Sequence, residues 1–138
     1  MADSAAVDAA LVAKLSGDAT LAGYMTGGVY MDIAPSGSTK FVIVSLIIEQ
    51  DEPMFAGRAF EDAVYLIKAV ELSTTGTTVN AAAARIDTLL DQQSLTVTGY
   101  SHMVTRRQER VRYTDVDDAN PDTRWQHRGG QYQVVVSS

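Results

Sequence analysis

Two stretches of the chain, Phe41 to Asp51 and Asp62 to Ser73, alternate as strands do yet are apolar on both faces. Along the first, Val42, Val44, Leu46 and Ile48 fall on one side, and Phe41, Ile43 and Ile47 fall on the other with Ser45 between them. Along the second, Val64, Leu66, Val70 and Leu72 oppose Ala63, Tyr65, Ile67 and Ala69. Strands wetted on one face alternate apolar with polar, so strands apolar on both belong in the middle of a sheet covered on both sides. The remaining sequence offers limited cover. Alanine-rich Ser4 to Leu15, capped by Asp3 or Ser4, carries Val7, Leu11 and Leu15 on one narrow stripe. After Ser16-Gly17, Asp18 caps a short second helix bearing Leu21, Tyr24 and Met25. Val79 to Asp91 is the clearest amphipathic helix, with Val79, Ala82, Ala83, Ile86, Leu89 and Leu90 at helical spacing. These helices suffice for one face. The other requires strands folding back or a second subunit, because each exposed Val, Leu or Ile forfeits about 1.5–3 kcal/mol. A sheet curling on itself is the alternative to an oligomer.

Further strands are expected at Val29 to Ile33, at Leu95 to Val104 continuing to Arg112 or Tyr113, and at Arg124 to Val136, with Gly129-Gly130 as a candidate bulge. The element order is α, β, β, β, α, β, β in one domain, residues 1–138. Glu52 to Glu61, between the two apolar strands, is longer than a tight hairpin needs. It places Met54, Phe55 and Phe60, with Arg58, where loops normally meet water, which marks it as a contact loop.

The 138 residues include no cysteine, so disulfides, thiol catalysis and cysteine-ligated metals are excluded. The net charge of −6 gives no general attraction to nucleic acid. No apolar run approaches the ~20 residues of a membrane helix, and the first residues lack the basic and apolar parts of a secretory signal. His102 and His127 lie on different strands with no accompanying nucleophile motif. Neither Gly27-Gly28 nor Gly129-Gly130 forms a phosphate loop. Asp115, Asp117 and Asp118 begin like a calcium loop, but Asn120 stands at the sixth position and Gln126 at the twelfth, which excludes an EF-hand and leaves the three as candidate subunit- or ring-interface residues. No catalytic group, cofactor site or metal site is expected. The basic residues are unevenly placed: residues 1–100 hold 12 acidic and 5 basic side chains, residues 101–138 hold 5 and 6. On a regular strand Arg106, Arg110 and Arg112 share one face, which suggests an ion-paired subunit interface rather than a grip on DNA.

Four stretches carry a resemblance: the alanine- and leucine-rich start, Ala9-Ala10-Leu11 through Gly17-Asp18-Ala19-Thr20-Leu21; Gly28-Val29-Tyr30 with Ile33-Ala34-Pro35-Ser36-Gly37 and the strand from Phe41; the helix Asn80 to Asp91; and the arginine-bearing strand, acidic loop and final aromatic–valine strand. In this order they resemble the tail-terminator (tail-completion, or tail-to-head joining) proteins of long-tailed bacteriophages. The resemblance implies an α/β fold of the α+β type, a mixed, mainly antiparallel sheet with the N-terminal helix and one main amphipathic helix packed on it. It also implies a structural, non-enzymatic virion protein found in the host cytoplasm during assembly. Such a protein forms a hexameric ring that caps the tail tube, ends its polymerisation and meets the head-completion or connector protein, with DNA passing through. Alternatives are another neck ring, a minor tail protein, or more distantly a small ferredoxin-like ligand-binding or enzyme domain.

Overall fold

A computed structural model describes residues 5–54, 57–117, 119–120 and 122–137, with side chains left aside at 50–54 and 57–59. Helix α1 (Ala5–Ser16) and short α2 (Ala19–Tyr24) precede β1 (Val29–Met31), β2 (Lys40–Met54) and β3 (Gly57–Ser73). Helix α3 (Thr77–Leu90), β4 (Ser101–Val116) and β5 (Arg124–Ser137) complete the chain. The five strands form one sheet in the order β1-β2-β3-β5-β4. Only β1 runs parallel to its neighbour, so the fold is α+β with a mixed, mainly antiparallel sheet. The doubly apolar strands β2 and β3 lie inside this sheet, as their patterning requires.

Helical cover is confined to one face. Val7, Leu11 and Leu15 of α1, Leu21 of α2, and Val79, Ala82, Ile86 and Leu90 of α3 form one buried cluster with Val42, Val44, Tyr65, Ile67, Tyr132 and Val134 of the sheet. Tyr65 and Tyr132 are register partners on adjacent strands, both fully buried. Each anchors one helix: Tyr65 Oη donates to Asp8 Oδ1 of α1 at 2.5 Å, and Tyr132 Oη donates to Asp87 Oδ1 of α3 at 3.0 Å. Burial first, then these carboxylates, push both phenols above their usual range. Asp18 caps α2 as expected, accepting from Leu21 N at 2.9 Å. It also receives two hydrogen bonds from Arg85 of α3, at 2.8 and 2.7 Å. Chiefly through Arg85, its carboxyl is lowered to about 2.

Four sequence expectations are corrected. Glu52 to Glu61 is not a broad loop: β2 and β3 keep pairing through it, Asp51 opposite Glu61, Glu52 opposite Phe60 and Met54 opposite Gly57. Pro53 is tolerated there because the register shifts beside it. A second irregularity between Leu46 and Ile48 puts Ile48 opposite Val64, so Ile48 leaves the face of Val42 and Val44. Leu95 to Tyr100 is not strand; Leu95 and Val97 are buried from an irregular segment, and β4 starts at Ser101. Gly129 and Gly130 form no bulge, since β5 pairs without interruption to β3. Both are glycine because the neighbours approach closely: a Cβ at Gly129 would lie 2.1 Å from Ile67 O, and one at Gly130 would lie 2.7 Å from Glu109 O.

Candidate functional site

Irregularity in β4 builds the most distinctive surface. Before Gln108, Arg106 pairs opposite Gln133 and Arg107 opposite the core residue Tyr132. A register shift between Arg107 and Glu109 then reverses the alternation, so Arg110 falls opposite Gly130 and Arg112 opposite Arg128. Arg107, Arg110 and Arg112 therefore share the helix-bearing face, joined by Arg128 of β5. Arg106 stands on the opposite face, its Nε donating to Gln133 Oε1 at 2.7 Å. The expected grouping of Arg106, Arg110 and Arg112 is thus wrong in one member. A bulge is a backbone irregularity that no residue type at Gln108 announces, so regular alternation misplaced Arg106 and missed Arg107.

These four arginines line a cleft of about 520 Å³ between α3 and strands β4 and β5. Its helical wall carries Ala83 and Ala84, whose short side chains leave the space open. The two ends differ in charge balance. At one end Arg107 Nη1 lies 3.3 Å from Asp87 Oδ1, and the Arg107 backbone N–H donates to Asp91 Oδ1 at 2.9 Å. At the other end Arg128 is buried and held by neutral acceptors. It donates to Asn80 Oδ1 at 3.0 Å, Gln126 Oε1 at 3.0 Å, His127 O at 2.9 Å and Tyr113 O at 3.2 Å. Burial first, and the Arg112 guanidinium second, push Arg128 down from its usual value. Arg110 and Arg112 are exposed, and neither has an ion pair among the described residues. This end of the cleft thus gathers three positive charges without a counter-ion among the described residues.

The remaining candidates are dispersed. Asp115 lies on β4 on the open face, its Oδ2 3.0 Å from His127 Nε2. Asp117 is spent within its own loop, accepting from Thr123 Oγ1 at 3.0 Å and Ala119 N at 3.1 Å. Phe60 is half-buried in the β2–β3 ribbon. Met54 and Arg58 are placed by backbone alone, and Phe55 and Asp118 lie outside the described residues. Among the described residues no group of three His, Asp or Glu side chains is placed to hold a metal ion, and no helix is long and apolar enough to cross a membrane.

The face without helices is partly closed by the chain's own aromatics. Phe41 and Trp125 meet with centroids 6.2 Å apart, and Tyr113 stacks on His127 at 4.2 Å with Lys68 over its ring. Beneath them Ile43 and Val70 are buried. Toward the ribbon the apolar surface is open, with Ile47 and Ile48 44% and 51% exposed. Among the described residues neither helices nor curling covers this part of the sheet.

No family model matches the chain, and a search of the curated proteins finds no match. Among solved structures, the chain is similar to one from the virion of a native gene transfer agent particle, with 20% identity and a TM-score of 0.71 over 99% of this chain and 100% of that one.

Proposed function

We propose that the chain is a structural virion protein of the tail-terminator kind, a ring that caps the tail tube, ends its polymerisation and joins it to the head connector. The full-length likeness of fold to a chain of a gene transfer agent virion carries this reading. The four sequence stretches quoted above support the narrower assignment, and the half-open sheet face supports assembly with further copies. No enzymatic step is assigned: the cleft arginines neither transfer protons nor attack as nucleophiles at pH 7. On the open face Asp32, Lys68, Asp115 and His127 line a second hollow of about 290 Å³, in which Asp115 is paired to His127 and Lys68 to the Tyr113 hydroxyl. Particles produced without the chain should carry overlong or headless tails in electron micrographs, and supplying the chain should restore normal length and joining. Tails of normal length with heads attached would reject the assignment. A different neck ring or a minor tail protein is the second reading, favoured by the same fold likeness. It predicts normal tail length with a joining or infection defect.

A further inference from the structure

We infer that the arginine cleft is a socket for the acidic β2–β3 ribbon of a second copy of this chain, so that copies join head to tail. The inference rests on the proposed ring and supplies its contact.

The ribbon is a projection of the sheet. Strand β5 ends at Ser137, and its pairing with β3 stops at Glu61 opposite Val136. Past that pair β5 adds one described residue, Ser137 opposite Ser101 of β4, whereas β2 and β3 stay paired from Glu52 opposite Phe60 to Met54 opposite Gly57. Residues 49–62 carry five carboxylates and one arginine. Glu61 is buried, and Asp62 accepts from Gln133 Nε2 at 2.7 Å. Asp51 stands level with that last pair, opposite Glu61, and Glu52 stands one residue beyond it, opposite Phe60, so the acidic positions mark the base of the ribbon.

The ribbon is kept from its own cleft by topology. Arg128 pairs with Ala69, eight residues along β3 from Glu61, which is about 25 Å at about 3.3 Å per residue. The ribbon extends from the Glu61 end, away from Arg110, Arg112 and Arg128. A negative ribbon base at one end of the sheet and a positive socket on another surface cannot meet within one copy. Between copies they form a heterologous contact, which closes into a ring when the rotation permits. A carboxylate partner also fits the socket's chemistry, since Asp87 already shows one carboxylate bound beside Arg107. The acidic β4–β5 loop is a weaker occupant, because Asp117 is consumed by Thr123 and Ala119. Duplex DNA is opposed by the net charge of −6 and by a concave site walled by α3.

The absence of cysteine makes the test clean. The full-length Glu52→Cys, Arg112→Cys double variant, concentrated and mildly oxidised, should form a disulfide ladder between copies. Mixing the two single variants should instead stop at a dimer. An Asp122→Cys, Arg112→Cys control should not give a ladder. Arg110→Glu with Arg112→Glu, both at exposed positions, should abolish self-association at least tenfold, and adding Asp51→Arg with Glu52→Arg should restore it. Circular dichroism establishes that each variant is folded. A ladder in the control alone, no ladder in either, or duplex DNA binding lost in the arginine variant while self-association persists would each overturn the socket. A ladder closing at a number other than six would leave the contact standing and contradict the hexameric tail-terminator reading. Six-fold rings without the Glu52–Arg112 cross-link would do the reverse.

Discussion

Gly129 shows how one residue can hold strand spacing. Its hypothetical Cβ meets backbone atoms of Ile67 and Lys68, not a movable side chain, so a methyl group must push strands apart. Gly129→Ala is expected to destabilise the chain by about 1–3 kcal/mol, read from urea unfolding, whereas Ala at Gly23, which has no neighbour within contact distance, should do far less. Asp18 joins two roles, capping α2 and binding Arg85. Asp18→Ala should cost about 1 kcal/mol from the lost cap alone, and Asp18→Asn should keep the cap and lose the charge pair. Because the folded carboxyl titrates near 2, below its ordinary 3.8, its contribution is full above pH 4 and disappears as pH falls toward 2. His127 follows the same sign at higher pH. Burial first and the Lys68 charge second lower it, with Asp115 opposing. Its folded value lies below 6.5, so stability is complete above that pH and declines as pH falls below it. Urea midpoints from pH 7.5 to 5 should fall in the wild type and fall less in His127→Phe, which retains a ring to stack on Tyr113.

At the scale of elements, what the sequence made legible was periodicity. Val79 to Leu90 and the doubly apolar β2 and β3 appear where their patterns place them because burial of one stripe or two faces drives each directly. What it concealed was the breaking of periodicity. The irregularities beside Ile47 and Gln108 turn Ile48 and Arg106 to faces their spacing denies, and both arise from strand twist and pairing across the sheet. Arg128 was missed because its place beside Arg112 depends on a strand register that pairs residues 16 apart in the chain. The β2–β3 ribbon was hidden by Pro53, which reads as a breaker but is admitted beside a register shift. None of the described core residues lies between Leu46 and Ala63. Asp51→Asn with Glu52→Gln, which changes neither the length nor the backbone pairing of the ribbon, should leave the thermal midpoint within a few degrees of wild type and abolish self-association, checked by calorimetry and light scattering.

At the scale of the molecule, the fold is a one-sided layer: three helices on one face of the sheet, and an aromatic patch over only part of the other. Ile47 and Ile48 remain about half exposed, and each gains up to ~1–2 kcal/mol if an adjoining copy or ring covers it. The socket and ribbon would supply direction to that association, and the apolar edge would supply affinity. Ring, socket and ribbon all stand on the proposal that this chain occupies a defined level of a tailed particle. A cryo-electron microscopy reconstruction of that particle tests it most directly. The account predicts six copies in a closed ring between tail tube and connector, each ribbon lying against the next copy's Arg110 and Arg112. This chain at any other symmetry, or away from the tail's head-proximal end, would contradict it.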